Sequence, residues 1–269
     1  MKQLNWVLQS NLIKQEIIDN IKIALRLDNI KYEEVKIIPF SDELPDIQNP
    51  SFFNIFYGST TLILNAYKDN RFSKGIFFDN NLFNTQNYLK YWGEGMLNYD
   101  SRLTTFPEFA NEPHSENSEW FLRPNEDDKS FSGTVMSFKN VKKMACDLQN
   151  SNNPYLTSKT VISVSTPKTI QKEWRHFIVD KKVVSSSRYM FNRQFDISTT
   201  DIPAELIKFV EQRCNEYVPN SIFVMDTALC NDKFSIIECN CFNGTGFYKH
   251  DIVKIIRAVN EYLQKSSAE

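Results

Sequence analysis

The stretch SIFVMDTALCNDKFSIIECN, residues 221–240, decides how the second half of this chain folds. Ser221 to Leu229 and Phe234 to Asn240 are two apolar, β-rich runs separated by Asn231-Asp232-Lys233, the pattern of a hairpin. Each run carries acid where a core strand would not: Asp226 follows Phe223-Val224-Met225, and Glu238 follows Ile236-Ile237. A carboxylate inside an apolar strand is costly to bury unless it is paired or bound to a cation. Period two puts Glu238 and Asn240 on one face, and pairing of the two strands brings Asp226 across from that face. Two carboxylates and an amide oxygen then form an all-oxygen set suited to magnesium. The plainer alternative is that each acid pairs with a lysine or faces water.

Upstream, Glu173 to Val179 and Val183 to Tyr189 flank Asp180-Lys181-Lys182 and read as a second hairpin. Within Glu173-Trp174-Arg175-His176-Phe177, Arg175 and Glu173 alternate with Trp174 and Phe177 in an inferred strand. An inward arginine needs a partner. Phosphate matches its planar fork, and the alternative is a salt bridge to Glu173 or Asp226. Arg188, in Ser185-Ser186-Ser187-Arg188-Tyr189, is a further candidate of the same kind. Phe121-Leu122-Arg123-Pro124 closes a strand with a cation, and the loop after it contains Lys129 and Ser130-Phe131-Ser132-Gly133. Such a loop can fold over phosphates with its N–H groups and a lysine, or be an ordinary hairpin with a solvated lysine. It lacks the Gly-x-x-x-x-Gly-Lys spacing of a Walker loop. Downstream, Asn243-Gly244-Thr245-Gly246-Phe247-Tyr248 places two of the seven glycines of the chain directly after the acid-bearing strand. It reads as a substrate loop or as a tight turn into the last helix.

The rest of the chain gives these segments a setting. A length of 269 residues fits one large domain or two compact ones sharing a cleft. With 31 basic and 33 acidic residues the net charge is −2, so no strongly basic field is available to attract nucleic acid non-specifically, which leaves only a local groove. The five cysteines form no Cys-x-x-Cys pair and there are three histidines, which argues against a tetrahedral zinc site. The cysteines read as reduced thiols of a cytosolic protein. Residues 1–28 lack the basic head and apolar run of a signal peptide, and no run approaches the ~20 apolar residues of a membrane span.

From the start, Leu4 to Gln9 reads as a strand, Asn11 to Asp28 as an amphipathic helix capped by Asn11, and Tyr32 to Phe40 as a strand. Phe52 to Tyr57, the turn Gly58-Ser59-Thr60, an apolar segment through Ala66 and a strand at Gly75 to Phe78 continue the rhythm of a parallel sheet with crossover helices. Asn98 to Ser118 is poor in aliphatic residues and reads as a domain junction whose Leu103, Phe106 and Phe109 can dock on a neighbour. Glu119 to Arg123 and Thr134 to Phe138 follow as strands, then a helix capped by Asn140 and a β-branched run from Tyr155 to Ser165. Helices over Pro203 to Tyr217 and Asp251 to Gln264 complete the chain, the last burying Ile252, Ile255, Ile256, Val259 and Leu263. The expected class is α/β, with α+β character in the C-terminal half, and two domains, 1–115 and 116–269.

Taken in order, Arg-Pro at a strand end, a loop with Lys and Ser-x-Gly, a Glu-x-Arg strand, an isolated Asp, then Glu-x-Asn and a glycine turn resemble the ATP-grasp superfamily. The match is to the clade with two arginines and one lysine in place of the usual two lysines. It covers roughly Glu119 to Leu263, and the first half is similar only to the α/β pre-grasp domain that normally precedes the grasp. The resemblance implies an ATP-grasp fold in which Arg123 stands for the first phosphate-binding lysine and Lys129, with Ser132 and Gly133, reaches the phosphates from the loop. It implies that Arg175 contacts the γ-phosphate or an acyl phosphate and that Arg188 lies on the nucleotide side. Ile162, Ser163 and Val164 match the hinge whose backbone pairs with adenine. Asp226, Glu238 and Asn240 hold one or two Mg²⁺ ions, with Mn²⁺ as an alternative, and Asn243 and Tyr248 lie toward substrate. The activity implied is an ATP-dependent carboxylate–amine (or thiol) ligase working through an acyl phosphate on small-molecule, amino-acid or peptide substrates. A phosphotransferase on the same fold and a non-catalytic nucleotide-binding module are the alternatives. Oligomeric state is not legible.

Overall fold

The computed structural model describes residues 3–125, 131–149, 151, 153 and 156–266. The chain runs β1 (Leu4–Gln9), α1 (Gln15–Leu27), β2 (Lys31–Val35), β3 (Phe53–Tyr57), α2 (Thr60–Lys68), α3 (Thr85–Trp92), β4 (Arg102–Thr105) and α4 (Phe106–Ala110). It continues with β5 (Glu119–Pro124), β6 (Thr134–Ser137), α5 (Phe138–Gln149), β7 (Val161–Ser165), β8 (Lys172–Val179) and β9 (Lys182–Phe191). β10 (Gln194–Ser198), α6 (Ala204–Glu216), β11 (Ile222–Cys230), β12 (Lys233–Asn240) and α7 (Ile252–Lys265) close it.

Three sheets result. The first is parallel, in the order β2-β1-β3, and every residue of the central β1 is buried. Its faces are covered by α1 with α7 on one side and α2 on the other, as the apolar clusters around Trp6–Ile256 and Val7–Leu62 show. The last helix therefore packs on the first sheet, and Trp6 Nε1 donates to Asn260 Oδ1 at 2.9 Å. The amphipathic pattern of α7 explains this, because all five aliphatic residues expected inside are buried. Asp251 caps α7 by accepting from the Lys254 N–H at 2.9 Å.

The second sheet is antiparallel, β4-β7-β5-β6, with Phe106, Phe109, Phe138 and Val141 of α4 and α5 packed on it. The polar stretch 98–118 thus contributes a strand and a short helix, and its two phenylalanines dock as expected. The third sheet, β10-β9-β8-β11-β12, is wholly antiparallel. One face carries Trp174, Phe223 and Met225 against α3 and α6. The opposite face buries Phe177, Val179, Ile222 and Val224 against α7 and the first sheet.

Several local expectations are corrected. Asn11 does not cap α1, whose N-cap is Lys14; its amide instead exchanges two hydrogen bonds with the backbone of Ile37. Asn140 lies inside α5, where its N–H donates to Ser137 Oγ. Residues 75–78 form no strand, because the backbone closes a 3₁₀ turn at Ser73–Gly75. There even a Cβ on Gly75 would fall 1.6 Å from the Asn54 carbonyl oxygen. Both hairpin turns are two-residue turns, Asp180-Lys181 and Asn231-Asp232, all four residues at positive φ, so Lys182 and Lys233 already belong to strands. The β-branched run becomes a strand only from Val161, and Tyr155 lies outside the described residues.

Candidate active site

The register of the third sheet sets Arg175, Asp226 and Glu238 side by side on β8, β11 and β12. Period two makes them share one face, and a bulge at Asp226/Thr227 interrupts the β11–β12 pairing beside them. Arg175 grips Asp226 with both prongs, Nε donating to Oδ1 at 2.9 Å and Nη2 to Oδ2 at 2.7 Å. Its third group, Nη1, donates to the Gly246 carbonyl at 3.2 Å, which ties the glycine loop to the sheet. Asn240 Nδ2 bridges the two acids, 3.3 Å from Asp226 Oδ2 and 3.3 Å from Glu238 Oε1.

The second sheet supplies the opposite wall. β5 ends at Pro124, and the side chain before it, Arg123, reaches across to Glu238, Nη2 donating to Oε2 at 2.7 Å and Nη1 to the Ile237 carbonyl at 3.2 Å. Its Nε is buried without a partner among the described residues. Between the sheets lies a cleft of about 540 Å³, walled by Phe121, Arg123 and Gly133 on one side and Glu173, Glu238 and Asn240 on the other. Gly133 packs closely on Phe121, and a Cβ there would lie 2.9 Å from the tip of the ring, which would have to shift. Ser132 also lines the cleft, whereas Lys129 lies outside the described residues.

Charge in the site is tightly balanced. Burial pushes the Asp226 carboxyl up, the Arg175 guanidinium opposes it, and the Glu238 charge adds to the rise. Burial alone would lower Arg175, but Asp226 outweighs it and holds the guanidinium charged. Glu173, missed as a site residue, is also raised by burial, opposed by the Tyr189 hydroxyl and reinforced by the charges of Asp226 and Glu238. Tyr189 donates to Glu173 Oε2 at 2.7 Å and stacks on Tyr248 at 5.2 Å, with the Arg175 guanidinium 4.8 Å from the Tyr248 ring. Glu173 and Tyr189 were legible in principle, since each is two positions from Arg175 or its cross-strand neighbour Ser187 and so shares their face.

Three expected placements change, and one holds. Arg188 sits opposite Trp174 in the β8–β9 pairing, on the face turned away from Arg175, where it pairs with Asp201 at 2.6 Å and Asp196 at 2.8 Å. Asn243 is fully buried and structural. Its Nδ2 donates to the Phe56 and Gly75 carbonyls at 2.7 and 2.9 Å, and its Oδ1 accepts from the Phe77 N–H at 2.7 Å. Ile162, Ser163 and Val164 lie on β7, an inner strand paired with β4 on one side and β5 on the other, so their backbone groups are already engaged. The segment after β7 borders the cleft instead, with Lys168 and Ile170 lining it. Tyr248 is at the site, 39% exposed and held at φ 46°.

The acids fit a hard divalent cation. A carboxylate has about four lone-pair positions. Asp226 uses three on Arg175 and Asn240, Glu238 two on Arg123 and Asn240, so Glu238 has the greater free capacity. Among the described residues no three His, Cys, Asp or Glu side chains cluster, and the set is two acids and an amide. Magnesium takes one or two carboxylates and fills its octahedron with water and phosphate oxygens. To join such a shell Asn240 must turn its amide and present Oδ1.

An antiparallel four-stranded sheet closing over a five-stranded one, with arginines from both meeting acids in the cleft and an α/β unit alongside, is the ATP-grasp fold. The chain belongs to the family described as ATP-grasp domain, R2K clade family 3, whose model matches residues 63–259. No curated protein matches the sequence. Among solved structures, the RimK domain protein ATP-grasp from Sphaerobacter thermophilus DSM 20745 aligns with TM-score 0.60 at 10% identity, covering 97% of this chain and 99% of that one. The D-alanine–D-alanine ligase from Bacillus anthracis complexed with ATP aligns with TM-score 0.58 at 14% identity, covering 99% and 98%. The macrocyclase MdnC bound with precursor peptide MdnA, from Microcystis aeruginosa MRC, aligns with TM-score 0.59 at 14% identity, covering 97% and 99%. Identity this low shows a shared fold. Among the described residues no helix is long and apolar enough to cross a membrane.

Proposed function

We propose that the protein is an ATP-dependent carboxylate–amine ligase that works through an acyl phosphate. One observation carries the reading: Arg123, Arg175, Asp226, Glu238 and Asn240, from four strands of two sheets, form one continuous chain of charge-assisted contacts around a cleft. A carboxylate oxygen is a poor leaving group, so amide formation needs activation. The substrate carboxylate attacks the γ-phosphorus of ATP, the bond to the β-phosphate bridging oxygen breaks, and ADP leaves. An amine then attacks the acyl carbon, releasing inorganic phosphate and one net proton from its ammonium form. Catalysis of this kind is mostly positioning and charge neutralisation. Arg123, with Lys129, Ser132 and Gly133 of the loop, would bind phosphates, and Arg175 the transferred group. Mg²⁺ held by Glu238, Asp226 and Asn240, as one or two ions and with Mn²⁺ as a substitute, would neutralise charge on the phosphate oxygens. The ligase and the macrocyclase above are similar in fold and act on amino-acid or peptide substrates by their names, which supports small amino-acid or peptide substrates here. Residues 116–269 serve mainly the nucleotide and 1–115 mainly the substrate, with β4 and α4 the exception because they join the second sheet. A cytosolic location agrees with ATP use and with five free cysteines.

Product analysis tests the reading. With Mg·ATP and a panel of amino acids and dipeptides, ADP and phosphate form only when a carboxylate and an amine are both present. A stable phosphorylated acceptor would identify a kinase, and no ATP consumption with any pair a nucleotide-binding module.

A further inference from the structure

The carboxyl edge of the parallel sheet carries polar groups that the site above does not use. β1 lies between β2 and β3, so the chain leaves β1 to one side through α1 and returns on the other side as β3. The gap between the carboxyl ends of β1 and β3 is therefore where the connections diverge, the position at which open parallel sheets form a ligand crevice. Gln9 ends β1 and Gly58-Ser59 follows β3, and the two segments touch there.

Gln9 is fully buried, and its Oε1 accepts from the Ser59 N–H at 2.8 Å. That contact fixes the orientation of the amide, because an N–H must face the oxygen. Nε2, with two N–H donors, then has no partner among the described residues. Ser59 occupies the N-cap of the nine-residue α2, yet its hydroxyl does not cap the helix, and its buried Oγ also has no partner. The first turn of α2 contains no acid to answer the helix dipole. Gly58 makes the approach feasible, because a Cβ there would lie 2.7 Å from Gln9 Cβ and Oε1 and 2.8 Å from Leu62. Its N–H donates to the Asn243 carbonyl at 3.0 Å, on the loop whose Gly246 receives Arg175.

An amide with two idle donors, an idle hydroxyl and the positive end of a helix together call for an anion. We propose that Gln9, Ser59 and the N-terminus of α2 form an anion subsite for the non-reacting carboxylate of an amino-acid or peptide substrate. The reacting group lies by Arg175 and the phosphates, so a group held at Ser59 belongs to the other end of the same molecule. An amino acid or peptide has a free carboxylate to place there. Naming the substrate rests on the ligase reading, whereas the subsite itself does not. The two donors are covered, and the segment before Ser41 lies at this helix end, the Phe40 N–H on Thr61 Oγ1 at 3.3 Å while its side chain stands 92% exposed.

Amide NMR of the full chain without nucleotide tests the subsite, with N-acetylglycine, N-acetylglycinamide and inorganic phosphate as probes. N-acetylglycine produces saturable shifts of the Ser59 and Thr60 backbone amides and of the Gln9 side-chain amide, and N-acetylglycinamide produces none. Ser59→Ala weakens binding about tenfold, as loss of a hydrogen bond to a charged group does. Gln9→Glu removes the response; should that variant fail to fold, Ser59→Ala decides alone, since its hydroxyl has no partner to lose. Equal response to the neutral amide, a response to phosphate but not to N-acetylglycine, no saturable shift, or unchanged binding in Ser59→Ala overturns the proposal. No ATP turnover is read, so failure here leaves the ligase reading intact, and failure of the product assay with an intact titration removes only that reading.

Discussion

Arg123 and Glu238 stand 115 positions apart in the chain, yet Arg123 Nη2 lies 2.7 Å from Glu238 Oε2 across the cleft. The Arg175–Asp226 pair lies within one sheet, so it reports only the β8–β11 register. The Arg123–Glu238 pair joins two sheets, and it exists only if the second sheet closes over the third in the way nucleotide binding needs. The same two groups are those a phosphate and a cation would compete for.

Removing the charge of Glu238 separates function from fold. Glu238→Gln keeps the volume and its side chain is partly exposed, so thermal unfolding changes little. ADP formation falls at least about a hundredfold, the scale of losing one charge-stabilising group. Wild-type ADP formation in that variant contradicts the metal assignment.

Arg123→Lys tests the fork rather than the charge. Lysine cannot reach the Ile237 carbonyl and Glu238 together as the two prongs do now. KM for ATP is expected to rise roughly tenfold in Arg123→Lys and further in Arg123→Ala. Arg123→Ala costs about 1 kcal/mol of stability, since the acid left behind is partly solvated. Steady-state kinetics and urea unfolding measure the two effects.

Asn243 and Tyr248 separate in the same assays. Asn243→Ala leaves the Phe77 N–H and the Phe56 and Gly75 carbonyls without their partner and costs about 3 kcal/mol, read as a lower urea midpoint. Tyr248→Ala leaves stability nearly unchanged and raises KM for the acceptor, because the ring is partly exposed and faces the Arg175 end of the site.

Acid weakens the fold through two histidines. His176 pairs with Ser186 and Thr227 and His250 with Ser185, and burial holds both near a pKa of about 3, with a nearby charge adding to the shift, His250 on His176 and Arg175 on His250. Both are neutral in the native state, and the unfolded chain takes up protons below its ordinary value of 6.5. The folded-state pKa is depressed, so their stability contribution is full above 6.5 and declines as pH falls from 6.5 toward 3, by up to about 1.4 kcal/mol per unit for each. His250→Asn should lose less stability than wild type between pH 7 and 5 in urea unfolding. An equal loss rules out His250 as a source.

The chemistry of the third sheet was legible because period two in 221–240 and 173–189 fixes which side chains share a face. It groups Asp226, Glu238 and Asn240 once the hairpin pairs, whereas Arg175 joins them only as a salt-bridge alternative or through the ATP-grasp resemblance. β4 escaped notice because Arg-Leu-Thr-Thr sits in an Asn- and Glu-rich stretch, and its burial comes from pairing with β7, a distant segment. β10 escaped because it is an edge strand with a mostly exposed, polar sequence. Arg188 was assigned to the site without the β8–β9 register, which alone shows that it faces away. The resemblance puts Asn243, in the glycine turn, toward substrate; its structural role is hidden because its three backbone partners lie far away in sequence.

Calorimetric titration of ATP, with and without Mg²⁺, into wild type, Arg123→Ala and Glu238→Gln tests the central claim most directly. Magnesium-dependent binding in the wild type, weakened in both variants, is the result predicted. No heat at all, or equal affinity in all three proteins, contradicts it.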